Sequence, residues 1–142
     1  PETQVILPLL ESDLVEIIQA CIAGKLKEVR LAVKPAAAVT VVLASRGYPG
    51  PYEKGMVIQG LERAEALEDV LIFHAGTRRA GQQIVTSGGR VLNVTAVAPS
   101  LPDAVARAYE AVQHISFEGM HYRRDIGQSA VQAMAAGGGD GA

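Results

Sequence analysis

The stretch V-T-S-G-G-R-V-L-N-V-T-A-V, Val85 to Val97, decides how this chain folds. A glycine pair, Gly88 and Gly89, precedes a single guanidinium, Arg90, and an apolar run follows. Glycine has no Cβ, so the backbone there can turn tightly or approach a ligand closely. The run itself is rich in Val and Thr and reads as a buried strand. Arg90 then has two readings. It is either a solvated charge at the edge of a sheet beside a hairpin turn, or a planar donor fork for a phosphate or carboxylate. Composition alone favours the first, because isolated surface arginines are common and anion sites are few.

Working back from this stretch, short strands alternate with Gly and Pro breaks. Ala38 to Ala44 reads as a buried strand, and Gly47, Pro49, Gly50, Pro51 and Gly55 break the segment Ser45 to Gly55 into a loop. Arg46, Tyr48 and Lys54 lie on that loop. They either pack and solvate it or touch a polar ligand, and the residues leave both open. Met56 to Ile58 reads as a second short strand, Gly60 to Asp69 as a helical turn or link, and Val70 to Phe73 as a third strand running into His74-Ala75-Gly76-Thr77. A hairpin turn is expected near Arg79 to Gly81, with Gln83 to Ser87 returning. His74 is an acid/base candidate by residue type, but no partner carboxylate or metal-ligand spacing accompanies it, and from the residues alone it reads as structural.

Two helical patterns flank the strands. From Asp13 to Ala23, Leu14, Ile17, Ile18, Cys21 and Ile22 make one apolar stripe, with Ser12 as N-cap and Gly24 as the closing residue. Cys21 reads as a small buried hydrophobe on that stripe. The segment Lys25 to Ala37 reads as a connector. After Val97, Ser100, Pro102 and Asp103 form a strong start signal. Leu101, Val105, Ala108, Tyr109, Val112 and Ile115 line the inner face of the helix that follows, which must therefore cover a sheet. Phe117 to Tyr122 reads as a last strand, and Arg123-Arg124-Asp125 as a solvated salt-bridge cluster. From Ala133 the Ala/Gly-rich tail is expected to be disordered or a linker. The fold class is α+β, an antiparallel sheet covered by helices.

With 142 residues, 49% apolar and 20% charged, the chain has the makings of one soluble domain with a single core. A net charge of -2 gives no basic field for a nucleic-acid backbone. One cysteine excludes an internal disulfide. No run reaches the roughly eighteen apolar residues of a membrane span, and nothing resembles a signal peptide, so a cytoplasmic location is expected. The absence of an initiator Met and the dense apolar start suggest a piece of a longer polypeptide. No phosphate loop, dinucleotide fingerprint, paired-His zinc motif or nucleophile elbow is present.

Six blocks in order carry the reading further: P-E-T-Q-V-I-L-P-L-L at 1 to 10, A-S-R-G-Y-P-G at 44 to 50, Y-E-K-G at 52 to 55, F-H-A-G-T at 73 to 77, V-T-S-G-G-R-V-L-N-V-T-A at 85 to 96 and F-E-G-M-H-Y-R-R-D-I-G at 117 to 127. From Pro1 to about Val131 the series closely resembles the C-terminal part of the phosphoribosylamine-glycine ligases, also called glycinamide ribonucleotide synthetases, of the ATP-grasp superfamily. The resemblance implies an enzyme of de novo purine synthesis that joins glycine to 5-phosphoribosylamine through a glycyl phosphate, with ATP converted to ADP and phosphate. ATP and Mg²⁺ or Mn²⁺ would serve the intact enzyme, since phosphate charge must be neutralised.

The family signature R-F-G-D-P-E-x-Q is entered here at Pro1-Glu2-Thr3-Gln4, so the resemblance puts the N-terminal ATP-grasp region outside this chain. It implies residues 1–37 as the end of the ATP-grasp domain and a connector, 38–131 as the substrate-side domain, and 132–142 as a flexible tail or linker. No catalytic residue or metal ligand is expected within the fragment, which should bind neither ATP nor metal alone and should be inactive. By position, Arg90 with Gly88 and Gly89 is the first choice for the ribose 5-phosphate. His74 and Thr77 come second and the segment Ser45 to Lys54, with Tyr48 and Lys54, third, while Glu2 and Thr3 border the glycine pocket. Ser129 stands where the family usually has Arg, which removes a possible partner of Asp125. A non-catalytic binding module that kept the fold is the alternative; a biotin- or lipoyl-carrier hairpin is disfavoured because no suitably placed lysine exists.

Overall fold

The structure, a computed structural model, describes residues 1–137. In chain order the elements are α1 (Thr3–Leu9), α2 (Leu14–Ile22), a 3-10 turn at Leu26–Glu28, β1 (Ala37–Ala44), α3 (Leu61–Glu65), β2 (Val70–His74), β3 (Thr77–Ala80), β4 (Gln83–Thr86), β5 (Arg90–Ala98), α4 (Leu101–His114) and α5 (Gln128–Gly137). The apolar run after Arg90 becomes β5, the middle strand of an antiparallel sheet ordered β1-β5-β2. Every residue from Val91 to Ala96 is buried, so the sheet is covered on both faces. The mixed helix and antiparallel sheet architecture is the one the sequence predicts.

Register sorts the two faces, because directly paired residues share a side. Val39, Val41 and Leu43 pair with Ala96, Val94 and Leu92, and Val70 and Ile72 join them from β2. Against this apolar layer α4 packs Ala104, Ala108, Ala111 and Val112, and Ile115 closes the core just beyond it. The three alanines let the helix sit close to the strands. The opposite face is more polar: the Thr95 hydroxyl donates to the Thr40 Oγ1 at 2.8 Å. There α1 lies against β1 and β5.

Helix α4 starts where the residues place it. The Ser100 Oγ accepts from the Asp103 backbone N–H at 3.3 Å and donates to its carboxylate at 2.5 Å. Ser100→Ala is expected to cost about 1 kcal/mol of stability, read as a lowered urea midpoint with unchanged slope. A loss below a few tenths would show that the cap contributes nothing here.

Several expectations are corrected. Asp13, not Ser12, caps α2, accepting from the Val15 and Glu16 N–H groups. Ser12 instead ties the connector back, accepting from the Ala32 N–H at 2.7 Å. Cys21 is exposed rather than buried, as are Leu14, Ile18 and Ile22. The expected strands Met56 to Ile58 and Phe117 to Tyr122 shrink to isolated bridges, Val57 to Val85, Gln59 to Ser116 and Ala44 to His121. Each makes one or two bonds and then turns, with Gly60 and Gly119 in the left-handed region. β3 and β4 pair with each other in a separate ribbon, so the turn before Arg90 joins two sheets instead of closing a hairpin. Residues 132–137 continue α5 where a flexible tail was expected to begin; the rest of that tail lies outside the described residues.

Candidate functional site

The corner where β5 begins is set by a bulge. Leu43 pairs with Leu92 but Ala44 pairs with Arg90, which leaves Val91 as an extra residue. An extra residue shifts the side-chain alternation by one. Unbulged alternation would aim Arg90 with Leu92 and Val94 into the apolar layer beneath α4. The bulge puts it beside Ala44 on the Thr40 and Thr95 face, where it is exposed. No ion pair holds its guanidinium among the described residues.

The glycines before it serve close packing. A Cβ on Gly89 would lie 2.1 Å from Cδ2 of Tyr48, whose half-buried ring covers that residue. A Cβ on Gly76 would lie 2.5 Å from the Arg90 carbonyl oxygen and 2.7 Å from the Gly88 Cα. The turn between β2 and β3 is thus stacked backbone to backbone on the turn before β5. The Ala75 and Gly76 N–H groups both donate to the Val91 carbonyl at 3.0 Å, and the Ser87 N–H donates to the Gly76 carbonyl at 2.7 Å. From the other side the Ser45 N–H donates to the Gly89 carbonyl at 2.8 Å and the Ser45 hydroxyl to the Gly88 carbonyl at 2.9 Å. Three loops converge, and Arg90 projects from backbone anchored on two sides.

His74 and Thr77 flank the β2–β3 turn, and because His74 pairs with Leu92 it lies on the α4 side of the sheet, opposite the face that carries Arg90. They face each other across the β2–β3 turn, with His74 Nδ1 and Thr77 Oγ1 2.9 Å apart. This bond orients the imidazole and leaves Nε2 as its free ring nitrogen, an arrangement suited to hydrogen bonding a ligand. Tyr48 joins through Gly89, and Tyr52 stacks edge-on to it with ring centroids 6.3 Å apart. Lys54 is held more loosely, its Nζ 5.9 Å from the Tyr52 ring centroid.

Glu2 and Thr3 stand exposed at the start of α1. Hydrogen bonding from the backbone, reinforced by the adjacent Pro1 ammonium at 3.0 Å, holds the Glu2 carboxyl below its ordinary range. Arg90 contributes weakly to the same lowering, which places the two charges within each other's field. The sequence missed Gly76, whose contacts are long-range and leave no local pattern. It also missed His121, which exchanges both backbone hydrogen bonds with Ala44 and so shares the face on which Ala44 and Arg90 pair. Asp125, by contrast, has the partner expected of a surface cluster, Arg123 at 2.7 Å, whose bond holds its carboxyl below the usual range.

Comparisons with known proteins identify the family. Residues 38–129 match the family model described as phosphoribosylglycinamide synthetase, C domain. The chain is 53% identical over 131 residues to the phosphoribosylamine-glycine ligase of Chlorobaculum tepidum, a match that covers 92% of this chain and 31% of that protein. It is 53% identical over 135 residues to the bifunctional purine biosynthetic protein purD of Dictyostelium discoideum, covering 94% of this chain and 17% of the relative. Among solved structures, the crystal structure of the phosphoribosylamine-glycine ligase of Thermotoga maritima superposes with a TM-score of 0.67 at 35% identity, over 88% of this chain and 30% of that one. The chain therefore spans less than a third of the length of these relatives. With the matched segment running from Ala38 in β1 through α4, this chain belongs to the phosphoribosylglycinamide synthetase C-domain family.

Proposed function

We propose that this chain is the substrate-side part of a longer ligase that joins glycine to 5-phosphoribosylamine at the expense of ATP, and that Arg90 contacts the 5-phosphate. The observation that carries the reading is the exposed, unpaired Arg90 guanidinium at a corner where three loops are fixed by backbone bonds. A preorganised cation stabilises bound phosphate without ordering cost at the moment of binding. His74, held by Thr77 at 2.9 Å, is the second candidate for a substrate contact. In such a reaction the carboxylate of glycine is first phosphorylated, and the amine of phosphoribosylamine then displaces phosphate from the glycyl phosphate.

The residues present do not suit the nucleotide or its metal. No group of three or more His, Cys, Asp or Glu converges among the described residues, and the chain has no phosphate-cradling glycine loop. On this reading those groups are held upstream. Residues 1–37 lie outside the matched family segment, and in α1 and α2 no residue is buried. We assign them to the end of an upstream domain whose body would cover their apolar side chains.

Arg90→Ala, made in the chain extended upstream to the relatives' length, is expected to raise KM for 5-phosphoribosylamine roughly 10- to 100-fold, as loss of a charge-assisted contact would. KM for ATP should move less than threefold. Unchanged use of phosphoribosylamine would remove Arg90 from the site.

A further inference from the structure

Strand β2 ends its sheet with a bare edge. In the order β1-β5-β2, no strand pairs with its outer side. The ladder tells which backbone groups point there. The Val97 N–H donates to the Asp69 carbonyl at 3.0 Å and the Ala75 N–H to the Val91 carbonyl at 3.0 Å, which marks the odd-numbered residues as those bonded to β5. Bonded and unbonded pairs alternate along an antiparallel ladder, so the N–H and C=O groups of Val70, Ile72 and His74 point away from β5. No backbone bond from outside the ladder reaches them among the described residues.

The side chains along this edge are apolar. Val70 and Ile72 turn to the α4 side and pack with the core. Leu71 and Phe73 pair with Thr95 and Asn93 and so stand on the opposite face, where α1 lies against β1 and β5. There Leu71 is 42% exposed and Phe73 half-buried. Folded chains commonly blunt an open edge with charge, as β3 does here with the exposed Arg78 and Arg79. β2, reading V-L-I-F-H, carries no Lys, Arg, Asp or Glu.

We propose that this edge is a self-association surface: two copies of the chain pair β2 with β2, antiparallel about a two-fold axis at Ile72, and join two three-stranded sheets into one of six. In that register the strand is complementary to itself. Ile72 lies opposite the partner's Ile72 and Val70 opposite the partner's His74, so each outward N–H meets an outward carbonyl. Leu71 then stands opposite the partner's Phe73, and the two-fold axis forms this aliphatic-aromatic pair twice. No like charges meet. His74 enters through its backbone groups, and its ring stays on Thr77. An unrelated strand could make the same backbone bonds, but the mutual pairing of Leu71 with Phe73 selects a second copy. Two five-residue strands make a small interface, so the dimer is weak and forms with rising concentration. The proposal does not depend on the ligase reading.

The test is amide hydrogen exchange of the 15N-labelled chain, read residue by residue in dilute and concentrated samples. Protection at Val70, Ile72 and His74 should rise roughly tenfold or more with concentration. Leu71 and Phe73, whose N–H groups face β5, serve as the internal reference and should not change. A mixture of labelled and unlabelled chains should give intermolecular NOEs between the Leu71 methyls and the Phe73 ring. Leu71→Lys should abolish the added protection and the dimer seen by sedimentation equilibrium, with the rest of the spectrum unchanged. Ile22→Asp, on the exposed stripe of α2, should leave the edge protection intact. A chain that stays monomeric at every concentration, edge protection that survives Leu71→Lys, or association lost with Ile22→Asp alone would overturn the proposal. So would edge amides protected at every dilution in a chain extended upstream to the relatives' length, which would give the edge to an upstream segment.

Discussion

Gly60→Ala is expected to lower the stability of the fold by about 3 kcal/mol or more, the range that backbone strain and steric overlap reach together. Gly60 has φ +82°, and an alanine Cβ there would lie 1.7 Å from the His114 carbonyl oxygen and 2.8 Å from its carbon. These are backbone atoms at the end of α4, and they have nowhere to retreat. Gln59 and Ser116 exchange bonds at 2.9 and 3.1 Å immediately beside them, and Ile115 is buried in the core. Relieving the overlap would pull α4 away from the sheet or break the bridge. Gly24→Ala is the matched control: φ is +69°, but nothing lies within 4 Å of the new methyl. That change should cost only the left-handed backbone term, about 1 to 2 kcal/mol, partly offset by the stiffer unfolded chain. Urea midpoints of the two variants separate the effects. Equal losses would mean that the close approach at Gly60 relaxes freely.

The contrast between these glycines shows where sequence reading stops. Local rules located β1, β2, β5 and α4, because each has a strong period or a start signal within its own residues. The stretch from Val85 gave a strand after a turn, and so it is. What it could not give was partnership. That β5 lies between β1 and β2 while β4 pairs with β3 depends on segments far apart in the chain. The bulge at Val91 is equally silent, yet it decides whether Arg90 faces solvent or the core. Gly76 carried no reading of its own in the sequence, and its role is to let two turns stack. The six family blocks named Arg90, His74 and Thr77 as candidates, and the structure sets His74 and Thr77 across one turn with Arg90 at the start of β5. Cys21 misled for the opposite reason: the apolar stripe it sits on is real, but nothing among the described residues covers it.

That stripe carries the second large expected effect. Ile22 is 83% exposed, and Val15, Ile18, Leu26, Leu31 and Val33 are exposed near it in sequence, with Ile6 and Leu7 on α1. Scattered apolar residues on a surface are ordinary, but a helix with a good cap, an apolar stripe and no buried residue is not. The capping bonds of Asp13 and the left-handed Gly24 show that α2 is properly begun and ended, so its faces are in their intended setting. In the 142-residue chain, Ile22→Asp should change stability by no more than about 0.5 kcal/mol, because the side chain already meets water. It should also reduce self-association. In a chain extended upstream to the relatives' length, the same substitution should cost about 2 to 4 kcal/mol, since it removes a buried aliphatic side chain and forces a charge into its place. Paired urea titrations of the short and extended chains, wild type and variant, read the difference directly. A small effect in both would show that this face stays open in the longer protein, and residues 1–37 would then have to be assigned to a surface rather than to a domain's interior.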